Sequence, residues 1–267
     1  MGQYHQFMNF DKKEICSPHG LSKLMEWSYQ KNDYLLSVEQ LLKSSWKNDR
    51  VLVIGDYVTD FYNDDRYKKI FDDIRKANSN YNESNIYFYQ YKEVSASTTP
   101  TTLPTRYIYN HEKKQYIDLK IEPIQGFFYD KKENTLYGQK IHPLPLLLSV
   151  SNGAGGGDYY SVNQDYVGSW ATTSSKIELS DIKLDLNYEE IGLLFDETNS
   201  KKSNPERIVD YLSKEFKNNI DKIDNLKFDK SLFLANDEIE IIKEQSKDII
   251  SITTENLKED IEIERDI

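Results

Sequence analysis

Cysteine is almost missing from this sequence of 267 residues, since Cys16 is the only one. A single cysteine excludes an internal disulfide bond and any metal site made of several thiolates. Histidine is scarce as well, and its four copies are scattered without the spacing of a paired zinc motif. These are His5, His19, His111 and His142. We therefore identify no catalytic residue in this inventory and expect no metal ion or cofactor.

Long apolar stretches are also lacking. No run approaches the roughly 18 apolar residues that cross a bilayer. The first residues, Met1 to Gln6, lack the basic and then apolar order of a signal peptide. No basic patch with interleaved aromatic residues occurs, which is the usual pattern of nucleic-acid binding. We expect a cytoplasmic protein that binds neither membranes nor nucleic acids.

Aromatic residues, in contrast, are abundant. Hydrophobic residues make up only 38% of the chain, but it contains 20 Tyr and 11 Phe. Because each aromatic side chain buries a large area, we expect a core built from Tyr and Phe as much as from Leu and Ile. A chain of this length can bury such a core, so the low hydrophobic content does not indicate disorder.

Acidic residues concentrate at the C-terminal end. Residues 235–267 contain 11 acidic and 4 basic residues, which accounts for −7 of the net charge of −11. Such an end attracts basic surfaces and repels nucleic acid. The charge pattern therefore predicts a protein partner with a basic surface. The alternative is a pair of helices whose charges are simply solvated, and the oligomeric state is not indicated.

The order of periodic segments predicts an α+β fold with antiparallel hairpins first and helices last. We divide the chain into an N-terminal α+β unit (1–94), a Ser/Thr/Pro linker (95–105), a β-rich unit (106–200) and a helical acidic region (201–267). Hairpins are predicted over 3–16 and 127–137, with strands near 106–110 and 115–121 between them. Buried strands are predicted over 50–54 and 142–150, the second because its prolines disfavour a helix.

Helices are predicted where apolar residues recur at a spacing of three or four. The segments are 20–30, 38–46 after a capping box at Ser37, the region after Asn63 or Asp64, 204–220 and the region after Asn236. In the last of these helices we expect four residues on one stripe. Its members are Ile239, Ile242, Ser246 and Ile249.

An internal echo links the two halves of the sequence. An acid-Lys-Lys turn follows an aromatic strand at Asp11 and again at Glu112 and Asp130. After the first two turns comes a Leu-rich segment, then a tryptophan, Trp46 or Trp170, then an alternating strand. One interpretation of this order is an ancient duplication in which the second copy carries a glycine-rich insertion. The alternative is that acid-Lys-Lys is a common exposed turn in a Lys-rich chain.

Two clusters are candidate sites. Four glycines within five residues, followed by an acid, are typical of a loop whose backbone amides converge on a phosphate or another anion. The candidate ligand-binding residues are Asn152, Gly153, Gly155, Gly156, Gly157 and Asp158. Asp56 and Asp60 form a second cluster after the strand at 50–54. A structural loop, and a turn with a helix cap, are the respective alternatives.

Several segments together resemble a family of uncharacterised bacterial proteins. The N-terminal residues that carry the resemblance are Gly2, Tyr4, Asn9 to Glu14, Pro18-His19, Lys23 to Glu26, and Trp46 with Gly55-Asp56-Tyr57. A second element comprises Asn152 to Asp158 and Val167 to Ala171. In the family, the glycine-rich element leads into a Trp, a strand and Gly-Asp-Tyr, whereas here Ser180-Asp181 stands at that place. The resemblance implies a bacterial or phage origin and no particular activity.

Two classes of function remain at this point. The favoured one is a non-catalytic protein-binding module, such as an immunity protein, an inhibitor or a phage anti-defence protein. The acidic end and the many tyrosines favour it, since Tyr is enriched at interfaces. The alternative is a small enzyme or a nucleotide- or phosphate-binding protein that uses the loop at 152–158.

Overall fold

A computed structural model of the chain describes residues 4–16, 22–24, 33–55, 65–77, 91–95, 105–120, 122, 124–140, 142–150, 166–191 and 202–265. The fold is α+β, as predicted. The helices are α1 (Asp33–Lys43), α2 (Asp65–Ala77), α3 (Pro143–Leu148), α4 (Asn204–Glu215) and α5 (Asn236–Arg265). The strands are β1 (Tyr4–Asn9), β2 (Glu14–Cys16), β3 (Ser22–Lys23), β4 (Val51–Gly55), β5 (Lys92–Glu93), β6 (Tyr107–Asn110), β7 (Gln115–Asp118), β8 (Ile124–Asp130), β9 (Thr135–Lys140), β10 (Ser149–Val150), β11 (Ile177–Ser180), β12 (Glu189–Glu190) and β13 (Lys227–Phe228).

The first sheet has the strand order β10-β4-β1-β2-β5, and β3 also pairs with β1. Strand β4 is central and all five of its residues are buried, as its continuous apolar run predicts. It pairs antiparallel with β1, with Asn9 opposite Val51, and parallel with β10. The predicted hairpin over 3–16 is confirmed as β1 and β2. At Ser22–Lys23 the predicted helix is wrong, because these residues pair with β1.

Two smaller sheets follow along the chain. The second sheet has the order β11-β6-β7-β12, and the third has the order β13-β9-β8. The predicted strand pair after residue 105 is confirmed as the hairpin of β6 and β7, and the predicted hairpin over 127–137 is confirmed as β8 and β9. In each of the three sheets a strand from later in the sequence, β5, β12 or β13, pairs parallel with the second strand of a hairpin.

Two compact units make up the chain, and they are interleaved in sequence. The first comprises Met1–Glu122 and Ile141–Asp196, and the second comprises Pro123–Lys140 and Glu197–Ile267. This division differs from the predicted consecutive segments. One reason is that β4, from the predicted N-terminal segment, pairs with β10, from the predicted β-rich segment. Such a long-range pairing leaves no trace in local periodicity.

The Pro-rich segment at 142–150 is not the strand that the sequence predicts. Residues Pro143–Leu148 form α3, and only Ser149–Val150 is extended. The two prolines do not prevent the helix because Pro143 and Pro145 lie in its first turn, where backbone N–H groups have no acceptor within the helix. The side chain of His142 caps α3 by accepting a hydrogen bond from the backbone N–H of Leu144.

The first long helix forms as predicted but begins earlier. Its apolar residues Val38, Leu41 and Leu42 are buried. Ser37 is not its cap, because α1 begins at Asp33 and Ser37 lies inside the helix, with its Oγ 3.8 Å from the Sγ of Cys16. Helix α2 likewise packs on the first sheet through Tyr67, Ile70 and Phe71, as its periodicity predicts.

Helices α4 and α5 pack together in the second unit. Helix α4 has a complete capping box, in which the Ser203 side chain accepts from the N–H of Glu206 and the Glu206 carboxylate accepts from the N–H of Ser203. The 30 residues of α5 span about 45 Å. Among the helices of the described residues, none is long and apolar enough to cross a membrane.

Candidate functional site

The candidate residues from the sequence lie outside the described residues. This holds for Asn152, Gly153, Gly155, Gly156, Gly157 and Asp158 of the glycine-rich loop, and for Asp56 and Asp60 of the second cluster. Within the described part of the chain, no group of three or more His, Cys, Asp or Glu side chains is arranged to hold a metal ion. The described residues instead show two surfaces that sequence reasoning did not identify.

The first surface becomes visible through a set of contacts that occurs twice in the first unit. We call β1, β2, α1, β4 and β5 the first motif, and β6, β7, α3, β11 and β12 the second motif. In both, the hairpin turn is closed by an Asn side chain that accepts from a lysine N–H at 3.0 Å, from Asn9 to Lys12 and from Asn110 to Lys113. The residue after that lysine has a positive φ in both, 54° in one and 53° in the other.

A buried tryptophan occupies the same position in both motifs. Trp46 donates from its indole Nε1 to the Glu14 carboxylate at 2.7 Å, and Trp170 donates to the Gln115 side-chain oxygen at 2.9 Å. Glu14 and Gln115 are each the first residue after their hairpin turn. Both tryptophans are fully buried. The backbone N–H of each also bonds to a carbonyl in the Leu-rich helix, that of Leu41 or Leu147.

The strand registers of the two motifs also agree. Asn9 is opposite Val51 in the first motif, and Asn110 is opposite Ile177 in the second. The motifs meet at an isolated antiparallel bridge between Arg50 and Lys176, which are the equivalent residues just before those two strands. Each motif packs its helix on the other: α1 contacts β11, and α3 contacts β4. The arrangement is that of a pseudo-twofold axis through the bridge. An origin by duplication stays a prediction, but the recurrence of contacts is observed.

The third hairpin repeats the turn with a shifted sequence. The Asp130 side chain accepts from the backbone N–H of Lys132 at 2.8 Å, and the positive φ falls on Asn134. Thus Asp130 is structurally equivalent to Asn9 and Asn110. In the first two hairpins the acid-Lys-Lys sequence begins two residues after the Asn, whereas in the third it begins at the equivalent residue itself. The backbone geometry recurs three times, while the full set of contacts, including the tryptophan, recurs only in the first two motifs.

The two motifs differ on the face that α2 covers in the first. There Leu52 and Ile54 of β4 join the apolar cluster beneath α2. The equivalent residues of β11 are Glu178 and Ser180, and the residues after β11 form an irregular segment, 181–188, in place of a helix. This segment lies over the rings of three tyrosines, Tyr107, Tyr109 and Tyr116. The polar side chains at these two positions of the second motif, which are apolar in the first, are therefore candidates for function.

A groove of about 500 Å³ runs beside β11. Its walls come from the end of α1 and from the strand with the segment that follows it. The lining residues are Lys43, Lys47, Glu178, Leu179, Ser180, Asp181, Ile182 and Leu184. Burial lowers the pKa of Lys43, and the nearby carboxylates of Glu39 and Asp181 act in the opposite direction. The groove therefore presents both signs of charge beside an apolar rim.

Glu178 is held in place from two sides. Its Oε2 lies 2.8 Å from Nε2 of His111, and its Oε1 lies 3.7 Å from the Lys47 ammonium. The other ring nitrogen of His111 lies 3.0 Å from the Tyr188 hydroxyl. Since an ionised carboxylate only accepts, Nε2 of His111 carries a hydrogen, and a neutral ring then accepts at Nδ1 from the tyrosine. The carboxylate is thus oriented in the wall of the groove.

His142 is held in a comparable way by a contact with α1. Its Nδ1 accepts from the N–H of Leu144, so Nε2 carries the hydrogen and donates to Glu39 at 3.0 Å. Both side chains are largely buried. The role of this histidine is structural, since the ring caps α3 and ties it to α1.

The second surface is an exposed apolar stripe on α5. Ile242, Ser246 and Ile250 are buried, whereas Ile241, Ile249 and Ile252 are 52%, 42% and 58% exposed. Of the residues predicted to share one stripe, Ile242 and Ser246 are buried and Ile249 is exposed, and Ile250 is buried with the first two. At 100° per residue, the three exposed isoleucines fall within a sector of about 80°.

The charges around this stripe are uneven. Lys243 and Lys247 both contact Asp224, the first through its carbonyl oxygen at 3.0 Å and the second through its carboxylate. Both lysines lie on the far side of the helix from the exposed isoleucines, while Glu244 and Asp248 lie between the lysines and the stripe. The stripe, defined as Ile241, Ile249 and Ile252, therefore faces solvent with an acidic border.

Comparison of the chain with protein-family models, with curated proteins and with solved structures gave no match.

Proposed function

We propose that this protein is a non-catalytic protein-binding module whose partner has a basic surface. Immunity proteins, inhibitors and phage anti-defence proteins are examples of such binding modules. The observation that carries the proposal is the exposed isoleucine stripe of α5 with its acidic border. Exposed apolar residues that share one face and are rimmed by polar ones are candidates for an interaction site.

Energetics support a docking role for the stripe. Fully burying one isoleucine contributes roughly 1.5–3 kcal/mol, so covering three that are about half exposed contributes on the order of 3 kcal/mol, before association entropy is subtracted. That amount alone gives weak binding. The acidic border adds steering and selects a basic partner, because charge complementarity raises the association rate and discriminates against partners of like charge.

The charge of the whole C-terminal end points in the same direction. The segment 235–267 carries a net charge of −7. A second copy of the same chain would bring an equal charge to the interface, and like charges that face each other weaken association. A different protein with Lys and Arg around an apolar groove is the favoured occupant.

The test compares two neighbouring substitutions on α5. The tagged wild-type chain, Ile252→Asp and Thr254→Asp serve as bait in a lysate of the source organism, and co-purified proteins are quantified by mass spectrometry. Thr254 is exposed, and it lies on the other side of the helix from Ile252, about 160° away. Both substitutions add one negative charge, so a general charge effect is matched.

The expected result is one stoichiometric partner with a basic surface. Its recovery falls at least tenfold with Ile252→Asp and stays within twofold of wild type with Thr254→Asp, at equal melting temperatures. Equal recovery with both variants, or no stoichiometric partner of the wild type, contradicts the proposal.

A further inference from the structure

The outer edges of the equivalent strands β4 and β11 differ between the two motifs. In the first motif the outer edge of β4 is covered: Ser149 and Val150 of β10 pair parallel with Val53 and Ile54. The equivalent residues of β11 are Leu179 and Ser180. Among the described residues, no strand pairs with β11 on that side, since β11 is the outermost strand of its sheet.

The groove occupies the position that β10 fills in the other motif. Leu179 and Ser180 line it directly, and its other wall is the end of α1. Because Leu41 and Leu147 are equivalent positions in the two motifs, the position equivalent to Ser149 is Lys43. After α3 the chain continues as the extended pair Ser149–Val150, whereas after α1 it turns away through hydrogen-bonded turns at 44–48. As a result, no described residue occupies beside β11 the place that β10 takes beside β4.

The backbone of β11 is oriented to use this space. The carbonyls of Lys176 and Ser180 accept from His111 and Arg106, on the side of β6. Because backbone groups of alternate residues in a strand point to the same side, those of Leu179 point to the opposite side, into the groove. In the first motif, the corresponding groups of Val53 are on the side that β10 occupies.

We propose that this groove binds an extended peptide segment of a partner protein, which adds to β11 as a parallel strand. Strand addition draws its affinity from main-chain hydrogen bonds and its selectivity from alternate side chains. The peptide residue opposite Ser180 takes the place of Val150 and is apolar, since Ile182 and Leu184 line that end. The residue opposite Leu179 takes the place of Ser149 and is small. The volume of about 500 Å³ lies in the range of ordinary ligand sites.

The charged side chains along the two walls of the groove indicate which charges the peptide carries. Asp181 and Glu178 lie along the strand side, and Lys43 and Lys47 lie on the helix side. We expect a basic residue of the peptide, next to the small and the apolar residue described above, to be attracted to the carboxylates on the strand side. This site lies in the first unit and does not depend on the isoleucine stripe of α5, so either proposal can fail without the other.

The probe is an acetylated and amidated peptide, Lys-Leu-Ser-Val-Ser-Lys, whose four central residues reproduce residues 148–151. Binding to the full chain is followed by fluorescence anisotropy of a labelled peptide and by hydrogen exchange of the protein amides. The matched variants are Ile182→Arg, in the groove, and Leu186→Arg, in the same irregular segment but outside the groove. Both isoleucine and leucine are exposed, 64% and 38%, so both variants are expected to fold.

We expect saturable binding, slower exchange at the amide of Leu179, at least fivefold weaker binding by Ile182→Arg and unchanged binding by Leu186→Arg. The same peptide with N-methylated backbone amides is expected not to bind. No binding by wild type at millimolar peptide, or equal binding of the N-methylated peptide, overturns the proposal. So does self-association of the wild type that Ile182→Arg abolishes in the absence of peptide, since a second copy is then the occupant.

Discussion

The indole of Trp170 donates to the side chain of Gln115 at 2.9 Å, one residue beyond a hairpin turn. The same relationship joins Trp46 to Glu14 in the first motif. In each motif, a long-range hydrogen bond fixes the helix-strand connection against the second strand of the hairpin. Removing it leaves a cavity and an acceptor that has lost its partner.

We therefore expect Trp170→Phe to lower the free energy of unfolding by about 2–4 kcal/mol. Trp46→Phe is the matched control, and a loss of similar size is expected because the contacts are equivalent. Urea denaturation monitored by circular dichroism measures both. A loss below 1 kcal/mol for either variant contradicts a structural role for the paired tryptophans.

Gly168 supports the same connection in the second motif. Its φ is +74°, and a Cβ added there would lie 2.7 Å from the carbonyl oxygen of Ser149 and 2.9 Å from the Tyr67 hydroxyl. The strained φ and the contact with backbone predict that Gly168→Ala lowers the free energy of unfolding by roughly 2–4 kcal/mol. The measurement is thermal or urea denaturation.

The control for Gly168→Ala is Ser169→Ala at the next residue. The hydroxyl of Ser169 is buried and has no hydrogen-bond partner among the described residues. Its removal is expected to leave stability unchanged or raised, because an unsatisfied buried group is costly. If both alanine variants lose stability equally, backbone strain at Gly168 is not the cause.

Cys16 gives the stability a pH dependence at alkaline pH. Burial raises the pKa of its thiol from 9.0 to about 11. The folded state therefore favours the protonated thiol, and its contribution is fully present below pH 9 and is lost as the pH rises towards about 11. We expect the stability of wild type relative to Cys16→Ala to fall between pH 9 and 11, measured by urea denaturation at each pH. If the free energies of unfolding of wild type and Cys16→Ala change in parallel between pH 9 and 11, this prediction is contradicted.

The hairpins and long helices were predictable because their signals are local. Alternating residues around a turn identify β1 with β2, and a spacing of three or four identifies α1, α2 and α4. The same spacing does not decide between Ile249 and Ile250, which are neighbours of equal hydrophobicity, and only packing against α4 selects Ile250. Helix α3 was missed because two prolines at a helix start look in sequence like a helix breaker.

The two proposed binding surfaces were beyond local sequence patterns. The groove joins Lys43 to Leu179 across 136 residues of sequence, and it exists because one helix is followed by turns while its equivalent continues as a strand. The sequence echo identified the tryptophans and the first two turns, but the positions of the third turn are shifted by two residues. The glycine-rich loop, the strongest candidate in the sequence, stays a prediction.

The most direct test of the protein-binding proposal places a photo-crosslinking amino acid at Ile249, in the stripe, and in a second protein at Thr254, on the opposite side of α5. Both positions are exposed. After irradiation in a lysate of the source organism, we predict one covalent adduct with a basic protein from position 249, weaker at high salt, and little from position 254. Equal adducts at both positions, or none at position 249, would contradict the account.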